Sequence, residues 1–238
     1  DNEGLIPHLD KQRICGIKLF MGASTGNMLV DKMDSLKYIF KHAGMLIATH
    51  CEDQSIINSN IAAYKGKYDE DLPIHYHPLI RDERACYESS SLAVALAKET
   101  GARLHIMHIS TAKELELLED KPIGEKNITA EACVSHLFFS DKDYERLGAR
   151  IKCNPAIKTL KDRDALRQAL TGNLIDKVLP FTSAVDICSY NIEIKMLVIL
   201  EIQLIIYVKR RNMCDRLLTI LYLIYHVTLM QDTVPVSK

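Results

Sequence analysis

One lysine stands in the middle of an apolar run, Gly16-Ile17-Lys18-Leu19-Phe20-Met21-Gly22. Glycines at both ends and apolar residues on both faces predict a short buried strand. A lysine kept charged and unpaired in such a strand costs several kcal/mol. In one reading it lies near the strand end and snorkels out, or pairs with a buried acid. In the other it sits at the mouth of a barrel, where desolvation lowers its pKa and makes it a nucleophile. Such an amine can carry CO2 as a carbamate, an anionic oxygen ligand able to bridge two metal ions. Two histidines downstream bear on the choice. His50 ends the apolar run 45–49 and leads into Cys51-Glu52-Asp53, and His108 ends Leu-His-Ile-Met-His before Ser110. A single histidine at a strand end is an ordinary polar residue. A lysine and two histidines at the same place on successive units point to a metal site, since imidazoles and carboxylates gathered from several strands suit a catalytic zinc.

The elements that must position these residues follow from periodicity and punctuation. After the Lys18 strand comes a loop rich in Gly, Ser and Asn (23–31). Asp34 can cap a helix to Ala43 that buries Leu36, Ile39 and Phe40, and Gly44 stops it. A strand at 45–49 leads to a helix ending near Tyr64, and 65–78 reads as a polar loop with His75 and His77. A long helix is predicted over 81–100, ended by Gly101. A strand at 103–109 follows, then a Thr111-capped helix to Glu119 and a strand at 128–133. Extended chain at 151–153 and a helix at 160–170 complete this part. Strands alternating with helices predict βαβ units on a parallel sheet, whose C-terminal strand ends share one mouth if it closes as a barrel.

With these residues in place, the motifs GIKLFMGASTGNMLVD (16–31), ATHCED (48–53), HIMHIST (105–111) and KCNP (152–155) together resemble the bacterial dihydroorotases of the amidohydrolase superfamily. The resemblance runs from near residue 1 to about Val178. It implies a (β/α)8 TIM-type barrel, here incomplete. It also implies interconversion of N-carbamoyl-L-aspartate and dihydroorotate in pyrimidine synthesis, with two zinc ions per site. By position Lys18 would be the carbamylated bridging lysine, His50 and His108 metal ligands, and Asn154 a substrate contact. Dihydropyrimidinases and allantoinases share this lysine and histidine layout and remain an alternative. A non-catalytic amidohydrolase-like partner subunit is another. His105 alternates with the apolar positions of its strand and reads as a supporting or structural residue, while His136 is left open. His75 and His77 read as a loop feature, and Glu131 and Arg81 as structural. Ser24 and Thr25 read as loop-shaping residues.

Composition narrows the classes. The formal charge of −1 over 238 residues argues against a general nucleic-acid binder. Seven cysteines at irregular spacing, with no CxxC, suggest neither a disulfide framework nor a structural zinc site. No apolar run reaches the roughly 18 residues of a membrane span. A cytoplasmic protein acting on a small molecule, without membrane or nucleic-acid partners and with a homodimer left open, is the expectation.

Two parts of the family pattern are missing. No His-x-His pair precedes Lys18, where His8 stands alone, and the aspartate that ends the family's last strand has no counterpart after Leu174–Val178. Asp186 is in unmatched surroundings, so no catalytic residue is identified. From Leu179 the text changes: no glycine follows Gly172, and apolar runs at 196–208 and 217–230 flank Lys209-Arg210-Arg211. The tail reads either as a pair of interfacial helices or, preferred here, as a stretch foreign to the family. The expected division is therefore a partial barrel over 1–178 and an atypical tail over 179–238, with the 238-residue chain inactive as it stands.

Overall fold

The computed structural model describes residues 3–22, 28–68 and 72–179. The chain parts into two units, 1–191 and 192–238, and every described residue belongs to the first. Ser24, Thr25, Asp186 and the apolar tail lie outside the described residues.

Five parallel strands stand side by side in sequence order: β1 (Gly16–Phe20), β2 (Leu46–His50), β3 (Leu104–Ile106), β4 (Ile128–Cys133) and β5 (Lys177–Leu179). Helical segments fill every crossover: α1 (Met33–His42), then α2 (Gln54–Tyr68), α3 (His77–Ile80) and α4 (Glu83–Thr100), then α5 (Val134–Phe138), α6 (Asp143–Leu147) and α7 (Leu160–Ala169). Between β3 and β4 the helical parts are short 3₁₀ turns at Lys113–Leu117 and Ile123–Glu125. Parallel neighbours that advance one place with each βα unit are the pattern of consecutive strands in a (β/α)8 barrel.

Register sorts the side chains. Lys18 lies opposite Ala48, Ala48 opposite His105, and His105 opposite Thr129, so these four share one face. The other face carries Leu19, Thr49, Ile106 and Ala130, all at most 2 % exposed. That is the side the helices cover. In α1, Leu36, Ile39 and Phe40 are buried, as the spacing predicts. In α4, Asp82 Oδ1 accepts from Ala85 N at 2.8 Å and caps the start, while Gly101 takes the left-handed conformation at the end (φ 71°). In α7, Thr159 and Asp162 form a capping box.

The structure departs from the sequence reading in places. The third strand stops at Ile106, because His108 turns into the left-handed region (φ 42°) and cannot continue a ladder. The 65–78 stretch is not a plain loop: α2 runs to Tyr68, a 3₁₀ turn covers Ile74–Tyr76, and α3 starts at His77. Of the extended chain expected at 151–153, a 3₁₀ turn (Gly148–Ile151) takes the first residue, and Lys152 after it is extended (φ −65°, ψ 122°). Among the described residues, β1 pairs with β2 along one side only, apart from a single bridge of Phe20 to Leu29, and this leaves Lys18 exposed instead of buried.

Candidate functional site

The last residue of β2 and the turn after β3 come together. His50 Nδ1 and His108 Nε2 face each other at 3.1 Å, and their rings meet edge to face with centroids 4.7 Å apart. Both residues are buried, at 5 % and 6 % exposure. On its far side His50 Nε2 donates to Glu52 Oε2 at 3.0 Å. The same oxygen accepts from Arg81 Nη1 at 2.7 Å. With its Nε2 protonated toward Glu52, a neutral His50 has only a lone pair at Nδ1. The hydrogen between the two rings therefore belongs to His108.

Local structure explains the approach. The positive φ of His108 bends the chain out of the β3 direction and swings its ring back toward β2. A left-handed non-glycine residue is uncommon, and histidine tolerates it better than most. The following turn is fastened from below. Glu114 Oε2 accepts from Ser110 N (3.1 Å), Thr111 N (3.2 Å) and Thr111 Oγ1 (3.0 Å), and its Oε1 accepts from Ser90 Oγ (2.7 Å). At the end of β1 the backbone comes so close to β2 that a Cβ on Gly22 would fall on the Glu52 carbonyl oxygen. Glycine is required there by the close approach.

Electrostatics follow from burial. Burial, then the charges of His50 and Lys18, hold His108 well below the ordinary imidazole value, so the ring is neutral. Burial alone would raise the Glu52 carboxyl, but the hydrogen bond from His50 and the Arg81 charge overcome it and hold the group below its ordinary value. Lys18 Nζ rests 2.6 Å from Met107 Sδ and 4.9 Å from the centre of the Phe20 ring. Although the residue as a whole is exposed, partial burial of its amine lowers the pKa, opposed by Cys51 and Glu131.

His50 and His108 are thus brought together, and Lys18 is near enough for its charge to act on His108; Asn154 belongs to a separate turn. Asn154 is half-buried, and its Oδ1 is enclosed without a hydrogen-bond partner. Two histidines bracket it: His77 Nε2 donates to the Cys153 carbonyl (2.9 Å) and His136 Nε2 to the Pro155 carbonyl (2.8 Å). His77, expected as part of a loop, is instead an anchor of this turn, while His75 is not drawn in. His105 has both nitrogens engaged, Nδ1 with Thr129 Oγ1 (2.8 Å) and Nε2 with Glu131 Oε2 (3.1 Å). Glu52 and Arg81 were missed as parts of the site. The Glu52 signal was its place two residues after His50; nothing in the sequence linked Arg81 to it.

Among the described residues, no three His, Cys, Asp or Glu side chains converge into a ready metal cage. The donors present still fit a metal ion. Two imidazole nitrogens bound at about 2.0–2.1 Å to one tetrahedral ion stand roughly 3.3 Å apart. That is close to the 3.1 Å between His50 and His108, whose shared hydrogen a cation would replace.

Comparison with known proteins shows what the chain is similar to. No family model matches the chain. A dihydroorotase of Staphylococcus epidermidis is 32 % identical over 158 residues, 66 % of this chain and 35 % of that protein. A dihydroorotase of Staphylococcus aureus is 31 % identical over the same length. The chain therefore spans about a third of the length of the curated relatives it matches. Among solved structures, an L-hydantoinase (dihydropyrimidinase) from Arthrobacter aurescens aligns with a TM-score of 0.67 at 25 % identity, over 74 % of this chain and 40 % of that one. A Saccharomyces cerevisiae dihydroorotase in complex with 5-fluoroorotic acid aligns with a TM-score of 0.60 at 17 % identity, over 88 % of this chain and 59 % of that one, a likeness of fold.

Proposed function

From this kinship, in which the chain belongs to the amidohydrolase superfamily as a relative of its dihydroorotases, we propose that it carries part of the metal centre of a zinc-dependent cyclic amide hydrolase. The substrate pair is N-carbamoyl-L-aspartate and dihydroorotate. The facing nitrogens of His50 and His108 are the observation that carries this reading. They lie on the same side of the sheet end as the lysine whose charge reaches His108.

Each residue has a stated task. His50 binds through Nδ1 and His108 through Nε2. Lys18 gives up a proton and forms an N–C bond to CO2, so that its side chain ends in two ligating oxygens. Its lowered pKa favours the free amine that this step needs. Asn154, with its carbonyl oxygen lacking a partner, hydrogen-bonds the substrate. Zinc bound there supplies Lewis acidity toward the ring amide and activates water. The His-x-His pair and the proton-transferring aspartate expected of this chemistry have no counterpart among the described residues. Turnover therefore depends on groups beyond them.

The Arthrobacter L-hydantoinase likeness favours a second reading, a dihydropyrimidinase-type hydrolase on the same centre. One experiment separates the two. The 238-residue chain is purified, its zinc is measured, and binding of dihydroorotate by the zinc-loaded chain is compared with that of dihydrouracil. Zinc with a preference for dihydroorotate supports the proposal, and a preference for dihydrouracil transfers it to the second reading. A chain that takes up no zinc and binds neither substrate fits a non-catalytic partner subunit and overturns both.

A further inference from the structure

The Glu52–Arg81 pair is fully enclosed on its acidic side and lies directly behind His50. The Glu52 side chain is 0 % exposed and that of Arg81 17 %. Burying an ion pair is costly and adds little net stability over well-packed apolar residues. Here it does something specific. Both donors fall on one oxygen: Oε2 accepts from His50 Nε2 at 3.0 Å and from Arg81 Nη1 at 2.7 Å, while Oε1 is buried without a partner. A carboxylate oxygen can only accept, so the His50 proton is held on Nε2. Nδ1, the nitrogen aimed at His108, is then left as a lone pair. Arg81 lies just before α4, whose N-terminus is capped by Asp82. The guanidinium is therefore delivered from a fixed helix end, and its Nη1 holds Glu52 Oε2 in place.

Resting on the metal reading above, we propose that Glu52 and Arg81 are positioning residues. Glu52 selects the tautomer and ring orientation that present His50 Nδ1 to the metal, and Arg81 holds Glu52 in place. Partners of this kind behind a ligating imidazole typically change metal affinity by about 10–100-fold when removed. The pair also fixes which substitutions matter. Glu52→Gln keeps a carbonyl oxygen that can sit where Oε2 sits, with the amide nitrogen facing the vacant side of Oε1. A Glu52→Met/Arg81→Met double variant keeps comparable bulk, leaves no charge unpaired and removes the acceptor.

The test uses the whole chain and two readouts. Imidazole nitrogen NMR of the metal-free protein, above the histidine pKa range, reports the His50 tautomer, and a chelator-competition titration reports zinc affinity. The wild type should have its proton on Nε2. The Gln variant should keep that tautomer and bind zinc within a fewfold of wild type. The double Met variant should show mixed tautomers and bind about 10–100-fold more weakly. A wild-type spectrum with the His50 proton on Nδ1 overturns the proposal even if no variant folds. A double Met variant with wild-type tautomer and affinity does so too. A tautomer that answers to Glu52 in a wild-type chain without zinc affinity upholds the orientation and removes the metal reading instead.

Discussion

Acidification should loosen the Asn154 turn. His77 and His136 each donate to a backbone carbonyl beside Asn154. They are 9 % and 2 % exposed. Burial is the main cause that lowers both to about 4, partly offset by those carbonyl bonds. Unfolded, each would titrate near 6.5. Between these values the unfolded chain binds more protons than the folded one, so stability is full above about 6.5 and falls as pH drops toward 4. At about pH 5 each histidine withdraws roughly 2 kcal/mol, or about 4 kcal/mol together. That is a large share of the 5–15 kcal/mol typical of a domain. His108, also lowered, acts in the same direction. Glu114 opposes it, because burial raises its carboxyl despite the bonds from Ser90, Ser110 and Thr111. Urea unfolding at a series of pH values measures the loss. His77→Gln and His136→Gln should each remove about half of the pH-dependent part while leaving an amide to hold the carbonyl. Wild-type stability that is flat between about pH 7 and 5, or single variants with the full wild-type loss, would refute the linkage.

Three further outcomes are expected. Lys18→Ala should lower zinc content at the proposed centre, with partial recovery on adding a short carboxylic acid; unchanged zinc makes the lysine purely structural. Gly22→Ala should cost at least about 2 kcal/mol in urea unfolding, because the new methyl meets backbone and not a movable side chain; a neutral result would mean that β1 can shift freely against β2. Glu114→Ala, which strands the donors of Ser90, Ser110 and Thr111, should cost about 3–5 kcal/mol. Glu114→Gln can satisfy the same groups and should stay within about 1 kcal/mol of wild type, and equal losses for the two would count against this account of the turn.

Much of the order of elements could be read from the sequence. The β4 span, the Gly101 stop of α4 and the buried face of α1 all follow from period and glycine. Local signals carry these features, so local reasoning reached them. Other features depend on partners distant in the chain. His77 is buried because the Cys153 carbonyl, 76 positions away, receives its proton. Arg81 reaches back 29 positions to Glu52. No periodicity encodes such pairs. Lys18 shows a different limit. The apolar run predicted burial, but burial of a strand's face depends on what lies beside it, and β1 has a strand partner on one side. The His108 backbone could not be read either, since the apolar alternation of 104–109 continues straight through the residue where the chain leaves the strand.

The strictly sequential pairing of the strands also sets a timetable for synthesis. Each new strand can dock on the one made just before it, so β1 and β2 can pair while the ribosome is still translating the helices that follow. His50 is then waiting on the nascent chain for Arg81 and, later, for His108, because Ala48 in β2 finds its β3 partner only at His105. At roughly 5–20 residues per second that interval lasts several seconds. During it Glu52 has no guanidinium beside it and His50 no second imidazole. The meeting of His50 with His108 is thus a late event in the birth of the protein, timed by the length of the α2–α4 crossover.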